Sequence, residues 1–306
     1  GDSTINALSE AVLELDADII AFQEIKKRSW FSKLMSYLPE YNFIISQQSS
    51  FMDQAIIYKK DLFDLVGRKE LFAENDYFFA GRPPLQCDLL LKSNNQKLSI
   101  INLHMKCCDS GLNRRKLAAE QLYNYLNNHL NKSLSNQFIV LGDWNDDLKD
   151  NLDEHCFGPF LNDNRFYFAT DFIDNDLKNA SYPKEPYISF LDHILTVSDF
   201  IAPEAISIET VFIEDFIGGF EMYETLISDH RPILLSIPFN DIKNNIKPIE
   251  LMKNELTGKK QVVVVYNNMT AIVEEGDKIG KGKILNITNE AVLFQTKSKL
   301  DTLLIR

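Results

Sequence analysis

The stretch Phe138-Ile139-Val140-Leu141-Gly142-Asp143-Trp144-Asn145 places a carboxylate and an amide directly after four apolar residues. An apolar run of this length, bounded by Gly and Asp, predicts a short buried strand that ends in a turn. Asp143 and Asn145 are therefore expected at the end of a strand, a common place for catalytic side chains in layered α/β proteins. Because Gly-Asp-x-Asn is also an ordinary turn sequence, its meaning depends on the rest of the chain.

The same arrangement recurs along the chain. Glu24 follows a strand predicted at 19–22, and His104 follows one predicted at 100–103. Apolar residues at helical spacing predict helices before the first of these strands and between His104 and Phe138. Further strands are predicted at Ala55–Tyr58, Leu89–Leu91, Ile194–Val197 and Ile233–Ile237, the last two preceded by Asp192 and by Asp229-His230. Alternating helices and strands indicate a mixed α/β (α+β) fold.

Composition and charge restrict the class of protein. The 306 residues are 45% hydrophobic and 25% charged, as in an ordinary folded domain, and no apolar stretch is long enough to cross a bilayer. The net charge is −12, with −15 in the first 240 residues and +3 in residues 241–306. Non-specific attraction to duplex DNA is not favoured by this field. Excess carboxylate does suit a hard divalent cation.

The chain is predicted to have two domains. Residues 1–240 are expected to form an α/β domain, and the Lys/Asn-rich residues 241–260 a linker. Residues 261–306 contain short β-rich runs separated by Gly, Asn and Asp, which predicts a small all-β module. This module has no His and no Cys, so we assign it no chemistry and regard it as a candidate for binding another protein.

The four cysteines, Cys87, Cys107, Cys108 and Cys156, contain no Cys-x-x-Cys pair. Free or buried thiols are favoured over a structural zinc site. The alternative, if the protein is exported, is one disulfide between cysteines far apart in sequence.

Five segments, taken together, resemble the endonuclease/exonuclease/phosphatase superfamily, whose members have the DNase I-like fold. They are Gln23-Glu24, Asn102-Leu103-His104, Gly142-Asp143-Trp144-Asn145, Leu191-Asp192-His193-Ile194-Leu195 and Ser228-Asp229-His230-Arg231-Pro232. The resemblance covers about residues 4–238. It implies a four-layered α/β sandwich, in which two mixed sheets face each other with helices outside. More narrowly, the chain resembles bacterial members of unassigned substrate that are often exported, which favours a secreted or periplasmic location.

The resemblance also assigns roles to residues. Glu24 is expected to bind a divalent cation, and Asp229 to be a second-site or water-bridged ligand. His230, held by Asp192, is expected to contact the scissile phosphate. The remaining expected roles are water activation by Asp143, water positioning by Asn145, a second phosphate contact or general acid for His104, and phosphate binding by Arg82.

These residue types suit the hydrolysis of a phosphate ester, which requires an activated water and neutralisation of an anion. Oxygen-rich ligands favour Mg²⁺ or Mn²⁺. We therefore expect a divalent-metal-dependent nuclease or other phosphodiesterase. The alternatives are a phosphomonoesterase, a sphingomyelinase-like phospholipase, and a catalytically inactive scaffold.

The sequence departs from the superfamily pattern in two places. The family opens with a strand that carries a metal-site Asn. Either this strand, which would precede Gly1, was removed or not observed, or another segment replaces it. The β module after residue 260 is an addition to the core family. The first departure keeps the inactive scaffold open as an alternative.

Overall fold

The computed structural model describes residues 1–132, 134–237, 246–266, 269–279, 282–295 and 300–305. The chain divides into two compact units. The first comprises Gly1–Leu91 and Lys97–Ile237, and the second comprises Lys92–Gln96 and Pro238–Arg306. All the residues with predicted chemistry lie in the first unit.

Residues 1–237 contain both helices and strands, as the apolar periodicity predicts. The helices are α1 (Asp2–Leu15), α2 (Arg28–Ser36), α3 (Leu112–Asn131), α4 (Gly158–Leu161), α5 (Glu214–Ile217) and α6 (Phe220–Leu226). The strands are β1 (Ile19–Ile25), β2 (Tyr41–Ile45), β3 (Asp53–Lys59), β4 (Phe63–Glu70), β5 (Leu85–Leu91), β6 (Gln96–His104), β7 (Phe138–Asp143), β8 (Phe166–Phe168), β9 (Asp192–Val197), β10 (Ser207–Thr210) and β11 (Ile233–Ser236).

Six of these strands form one mixed sheet in the order β4-β5-β6-β7-β9-β8. Strands β6 and β7 are parallel and are joined by α3, whereas β9 runs antiparallel to β7 and to β8. On one face of the sheet, Ile101 of β6 and Val140 of β7 pack against Ala118 and Leu122 of α3. The side chains of Asn102 and His104 alternate to the opposite face of β6.

That opposite face meets a second layer of strands. Strands β1, β3 and β2 form a three-stranded antiparallel sheet, and β10 pairs with β11. The buried Asn102 side chain joins the layers, because its Nδ2 donates to the carbonyls of Phe22 (2.9 Å) and Ala55 (3.0 Å). Phe31 and Leu34 of α2 pack outside the three-stranded sheet. The predicted order of helix, sheet, sheet and helix is confirmed.

The second unit consists of antiparallel strands. Their bounds are β12 (Ile246–Lys253), β13 (Lys260–Tyr266), β14 (Met269–Glu274), β15 (Lys278–Ile279), β16 (Gly282–Ile287), β17 (Ala291–Gln295) and β18 (Leu300–Leu304). They form two sheets, β12-β13-β14 and β15-β16-β17-β18. The core of the unit contains Val262, Val264, Ile284 and Phe294.

The predicted linker is wrong for residues 246–253. This segment is strand β12, which pairs with β13 from Ile246 to Lys253, with one register shift between Pro248 and Glu250. Ile246 and Pro248 are buried at alternate positions, a pattern that the Lys/Asn-rich composition concealed. Residues 241–245 of that range lie outside the described part of the chain.

Within the described residues, every helix is too short or too polar to span a bilayer.

Candidate active site

Three polar side chains lie side by side at the ends of neighbouring strands. His104 is the register partner of Asp143 in the parallel pair β6–β7. Asp143 is in turn the register partner of Asp192 in the antiparallel pair β7–β9. Sheet register therefore aligns an imidazole and two carboxylates across three adjacent strands, although the residues are far apart in sequence.

Asp192 is bound to His230, which lies in the loop before β11. His230 Nδ1 donates to Asp192 Oδ2 over 2.7 Å, and both side chains are mostly buried. Burial alone would lower the pKa of His230, but the charge and hydrogen bond of Asp192, with Asp143 and Asp229, raise it to about 10. Burial would likewise raise the pKa of Asp192, but the charge and hydrogen bond of His230 lower it. The pair is thus an ion pair at neutral pH.

Asp143 differs sharply from its neighbour Asp192. It is buried, and its Oδ1 accepts a hydrogen bond of 2.9 Å from the backbone N–H of Asn145. Burial and the charge of Asp192 raise the pKa of Asp143 to about 7. This carboxylate can therefore gain and lose a proton near neutral pH, which a general base requires.

His104 is buried beside Asp143, with 3.5 Å between His104 Nε2 and Asp143 Oδ2. Burial and the positive charge of Arg82 lower the pKa of His104 to about 3. Its imidazole is consequently neutral at physiological pH. His104 Nδ1 is a buried atom without a hydrogen-bond partner among the described residues.

Arg82 and Asn145 converge on the backbone that follows His104. The carbonyl of Met105 accepts from Arg82 Nη2 at 2.8 Å and from Asn145 Nδ2 at 2.9 Å. Arg82 Nε donates to the carbonyl of His104 at 3.1 Å. The guanidinium is buried and lies 5.3 Å from the centre of the exposed Phe51 ring. Arg82 thus positions the His104–Met105 backbone through two of its three nitrogens.

Glu24 lies at an irregularity in β1. The register of β1 against β3 shifts between Phe22 and Ile25, and Glu24 has a left-handed φ of 59°. Its side chain is 54% exposed, and Oε1 lies 3.9 Å from His104 Nε2. The bulge therefore places a solvent-accessible carboxylate beside the buried His104 side chain.

The structure groups some of the predicted site residues more tightly than others. In the described part of the chain, the group of at least three potential metal ligands consists of Asp143, Asp192 and His230, whose ligand atoms lie within 4.8 Å of one another. The predicted metal ligands Glu24 and Asp229 are outside this group. Asp229 is partly buried next to His230 in sequence.

Ser181 is a positioning residue that the sequence did not reveal. It is buried, and its Oγ accepts from the backbone N–H of Asp192 at 3.1 Å. Its carbonyl accepts from the N–H of Arg231 at 2.7 Å. Ser181 therefore holds the backbones on both sides of the Asp192–His230 pair. Asn102 was also missed as a positioning residue, although a polar residue within the apolar run of β6 is a usable signal.

Most of the chain matches one known protein family. The profile of the Endonuclease/Exonuclease/phosphatase family matches residues 2–230. A search of curated protein sequences finds no significant match.

Solved structures share the fold at low sequence identity. D. rerio TDP2 complexed with single strand DNA product is 17% identical with a TM-score of 0.53, and the match covers 76% of this chain and 90% of that one. Truncated Caenorhabditis elegans TDP2 is 14% identical with a TM-score of 0.56, over 76% and 89% of the two chains. The human Nocturnin catalytic domain with bound sulfate anion is 18% identical with a TM-score of 0.51, over 68% and 78%.

Proposed function

Since the chain belongs to the Endonuclease/Exonuclease/phosphatase family, which comprises hydrolases of phosphoester bonds, we propose that it is a divalent-metal-dependent phosphodiesterase, with nucleic acid as the favoured substrate class. The observation that carries the proposal is the aligned row His104–Asp143–Asp192, with His230 bound to Asp192. In this arrangement Asp143 is the base, His104 is a neutral hydrogen-bond donor, and His230 is a fixed cation.

His230 supplies the fixed positive charge. Because its pKa is raised to about 10, its imidazolium persists at neutral pH and can stabilise the charge that builds on a phosphate oxygen. Asp192 occupies Nδ1 and so directs Nε2 away from itself. In this proposal His230 is a catalytic residue and Asp192 is a positioning residue.

Asp143 is the proposed general base. Its pKa of about 7 allows it to take a proton from the attacking water at physiological pH. Asn145 is anchored through Nδ2 to Met105 and through its N–H to Asp143, so its amide is fixed beside the base. This anchoring supports a role for Asn145 in positioning the water.

His104 and Arg82 are proposed to bind the substrate phosphate from the other side of Asp143. The low pKa of His104 makes a neutral hydrogen-bond donor the favoured role, rather than a general acid. Arg82 adds a buried positive charge whose electrostatic effect reaches both Asp143 and Glu24. Its main hydrogen bonds hold the loop, so its contribution to phosphate binding is chiefly through charge.

The donor set fits a divalent metal. Asp143 is buried beside the charged Asp192, whose negative charge adds to the effect of burial in raising the pKa of Asp143, although His230 partly offsets it. Glu24, with its exposed carboxylate, and Asp229 would hold Mg²⁺ or Mn²⁺, both of which favour oxygen ligands. Such a cation supplies Lewis-acid stabilisation of the phosphate and of the leaving oxygen.

Phe51 favours nucleic acid among phosphodiesters. Its ring is 51% exposed and stands against the Arg82 guanidinium, which is the combination of aromatic face and cation on which bases stack. The D. rerio TDP2 structure of the same fold contains a single strand DNA product. Both points support a single-stranded nucleic acid, although the net charge of −12 disfavours non-specific duplex binding.

The decisive experiment compares substrates and metals. Purified protein is assayed on plasmid DNA, single-stranded oligonucleotides, bis-p-nitrophenyl phosphate, p-nitrophenyl phosphate and sphingomyelin, with Mg²⁺, Mn²⁺ or EDTA. We expect metal-dependent cleavage of the nucleic acids and of bis-p-nitrophenyl phosphate that is lost in EDTA. Preference for the monoester or for sphingomyelin would replace the phosphodiesterase by one of the alternatives. Inactivity on all five substrates with metal present would favour the inactive scaffold.

A further inference from the structure

Cys107 and Cys108 form an exposed pair of adjacent thiols just after the candidate active site. Both residues are free and exposed, whereas Cys87 and Cys156 are buried. The two sulfur atoms of the pair lie 2.6 Å apart, and Cys108 Sγ donates to Cys107 Sγ. A disulfide bond is about 2.05 Å long, so the sulfurs need only a small approach to bond.

The backbone around the pair is held in place. Arg115 Nη1 donates to the carbonyl of Lys106 at 2.9 Å and to that of Cys108 at 2.7 Å. Arg115 is itself buried and bound to Asp146 through Nη2 at 2.7 Å. One buried guanidinium therefore holds the carbonyls on both sides of Cys107. This restrains the backbone and keeps the two sulfurs close together.

Cys108 has a strained backbone. Its φ is 70° and its ψ is 166°, a combination that is almost confined to glycine. The strain persists because Arg115 and the N–H of Gly111 both donate to the Cys108 carbonyl. Buried cysteines are chemically inert, whereas exposed thiols such as these are accessible for reaction.

From this geometry we propose that Cys107 and Cys108 form a reversible dithiol–disulfide site that takes part in exchange with low-molecular-weight disulfides. The sulfur of Cys107, as its thiolate, attacks one sulfur of the small disulfide and releases one small thiolate. Cys108, after losing its proton to solvent, then attacks Cys107 Sγ and releases the second. The protein loses two protons and two electrons, and the small disulfide gains them as two thiols.

The order of attack follows from the contacts of the two sulfurs. Cys107 Sγ accepts the hydrogen bond from Cys108 and lies 3.7 Å from Lys106 Nζ, so a cation stands beside it. The hydrogen bond to Cys107, followed by burial, raises the pKa of Cys108. Cys107 is thus the first nucleophile and Cys108 the resolving thiol.

The resulting disulfide is expected to be easily reduced. Adjacent Cα atoms are about 3.8 Å apart, which is less than the usual separation of about 4.4 Å or more in disulfides. Strained and exposed disulfides have higher reduction potentials and act as labile or regulatory bonds. The site therefore responds to the redox state of its surroundings and is not a structural cross-link.

Formation of the Cys107–Cys108 disulfide would also affect the candidate active site. Met105 lies two residues before Cys107, and its carbonyl accepts from both Asn145 and Arg82. Its N–H donates to the carbonyl of Asp143 at 2.9 Å. A backbone change at 107–108 is thereby passed to residues that flank the proposed base. This effect on turnover rests on the proposed function, whereas the redox chemistry does not.

Mass spectrometry of the native protein tests the redox site. The protein is equilibrated with mixtures of oxidised and reduced glutathione, alkylated in native conditions and cleaved with trypsin, which yields the peptide 107–114 with both thiols. We expect the oxidised peptide to be two hydrogens lighter than the unalkylated dithiol peptide and to carry no glutathione. Dithiothreitol should restore both thiols. Cys107→Ser and Cys108→Ser should lose this shift, and Cys108→Ser should retain glutathione on Cys107. Stable glutathione on the wild-type peptide, an unchanged peptide, or a covalent dimer through it would overturn the proposal.

Hydrolysis of bis-p-nitrophenyl phosphate tests the link to the active site. Oxidation should lower kcat about tenfold or more in the wild type, as expected for misplaced catalytic groups, and dithiothreitol should restore it. The double variant Cys107→Ser/Cys108→Ser, which has no thiol at this site, should keep its kcat through the same treatment. Equal kcat in both redox states would overturn the link. A reduced enzyme without activity would instead contradict the proposed function and leave the mass result standing.

Discussion

Asp143 and Asp192 are register partners on β7 and β9, yet their pKa values move in opposite directions. Asp192 has His230 to compensate its charge, whereas Asp143 has burial and the negative charge of Asp192. Pairs of titratable groups whose pKa values are pushed apart commonly divide the roles of base and electrostatic stabiliser. The difference between these two neighbours is the basis for assigning proton transfer to Asp143.

The rate of hydrolysis should depend on pH in a bell shape. Asp143 must be deprotonated to act as the base, so kcat/KM should rise with pH up to its pKa of about 7, or lower once a cation is bound. His230 must be protonated, so kcat/KM should fall as the pH passes about 10. Profiles of bis-p-nitrophenyl phosphate hydrolysis test both limbs. An alkaline limb that is unchanged in His230→Gln would assign that limb to another group.

The stability of the protein should also report the His230 proton. The pKa of His230 is about 10 in the folded protein and about 6.5 in the unfolded chain, so its contribution is complete below pH 6.5 and is lost as the pH rises through 10. The free energy of unfolding should therefore decrease over this window, by on the order of a few kcal/mol. Urea titrations of wild type and Asp192→Asn check the slope, which should be much smaller in the variant. Parallel slopes would contradict the ion pair.

Asp192 and His230 should behave as one unit in catalysis. Each of Asp192→Asn and His230→Ala should reduce kcat by on the order of a hundredfold, comparable to the loss of an oxyanion donor. The double variant should be little worse than either single variant, because groups that act together are non-additive. The kcat of the three variants, each checked by circular dichroism, provides the measurement. Additive losses, or normal turnover by folded His230→Ala, would show that the pair is assigned wrongly.

Glu24→Gln should weaken metal activation without weakening the fold. The side chain is 54% exposed, so the metal-free melting temperature should stay close to that of wild type. The Mg²⁺ or Mn²⁺ concentration for half-maximal activity should rise about tenfold or more, and the stabilisation by added metal should shrink. Glu10→Gln, an exposed carboxylate on α1, is the matched control. Equal metal dependence in both variants would remove Glu24 from the metal site.

Ser181→Ala should lower both stability and turnover. The Ser181 Oγ accepts from two backbone N–H groups, those of Leu191 and Asp192, which would lose their partner in a buried place. The expected cost is roughly 1–3 kcal/mol in unfolding free energy. Ser189 Oγ donates to the carbonyl of Tyr187, two residues away, so Ser189→Ala is the control with the same chemical change. If kcat of folded Ser181→Ala equals that of the control, Ser181 does not position the Asp192–His230 pair.

Local sequence patterns predicted the ends of β6 and β7 correctly, because buried strands are apolar and end at turn residues. The places of His104 and Asp143 at the ends of β6 and β7 follow from this rule. The first strand was predicted at 19–22, but β1 continues through Glu24 to Ile25. The strand β12 was missed, because its few buried residues are separated by exposed charges within a polar segment. The resemblance to the family, and not periodicity, suggested that Asp192 holds His230.

Other features of the site depend on long-range geometry that a single sequence does not carry. The left-handed φ of Glu24 arises where the register of β1 shifts against β3. The residues around Glu24 do not predict this shift. The attachment of Arg82 to the carbonyls of His104 and Met105 depends on how a loop folds over β6. Ser181 acts through hydrogen bonds to the segments around Asp192 and Arg231, and its own neighbours give no hint of this.

The parallel pairing of β6 and β7 through α3 has a consequence for how the site assembles. His104 and Asp143 belong to one strand–helix–strand crossover that is continuous in sequence, whereas His230 reaches Asp192 from a separate loop. Proteins open locally in contiguous cooperative units. A transient detachment of the loop before β11 would therefore remove the imidazolium while the base and the neutral imidazole stay in register. In the proposed mechanism, turnover would stop and resume with this local opening, without any melting of the hydrophobic core.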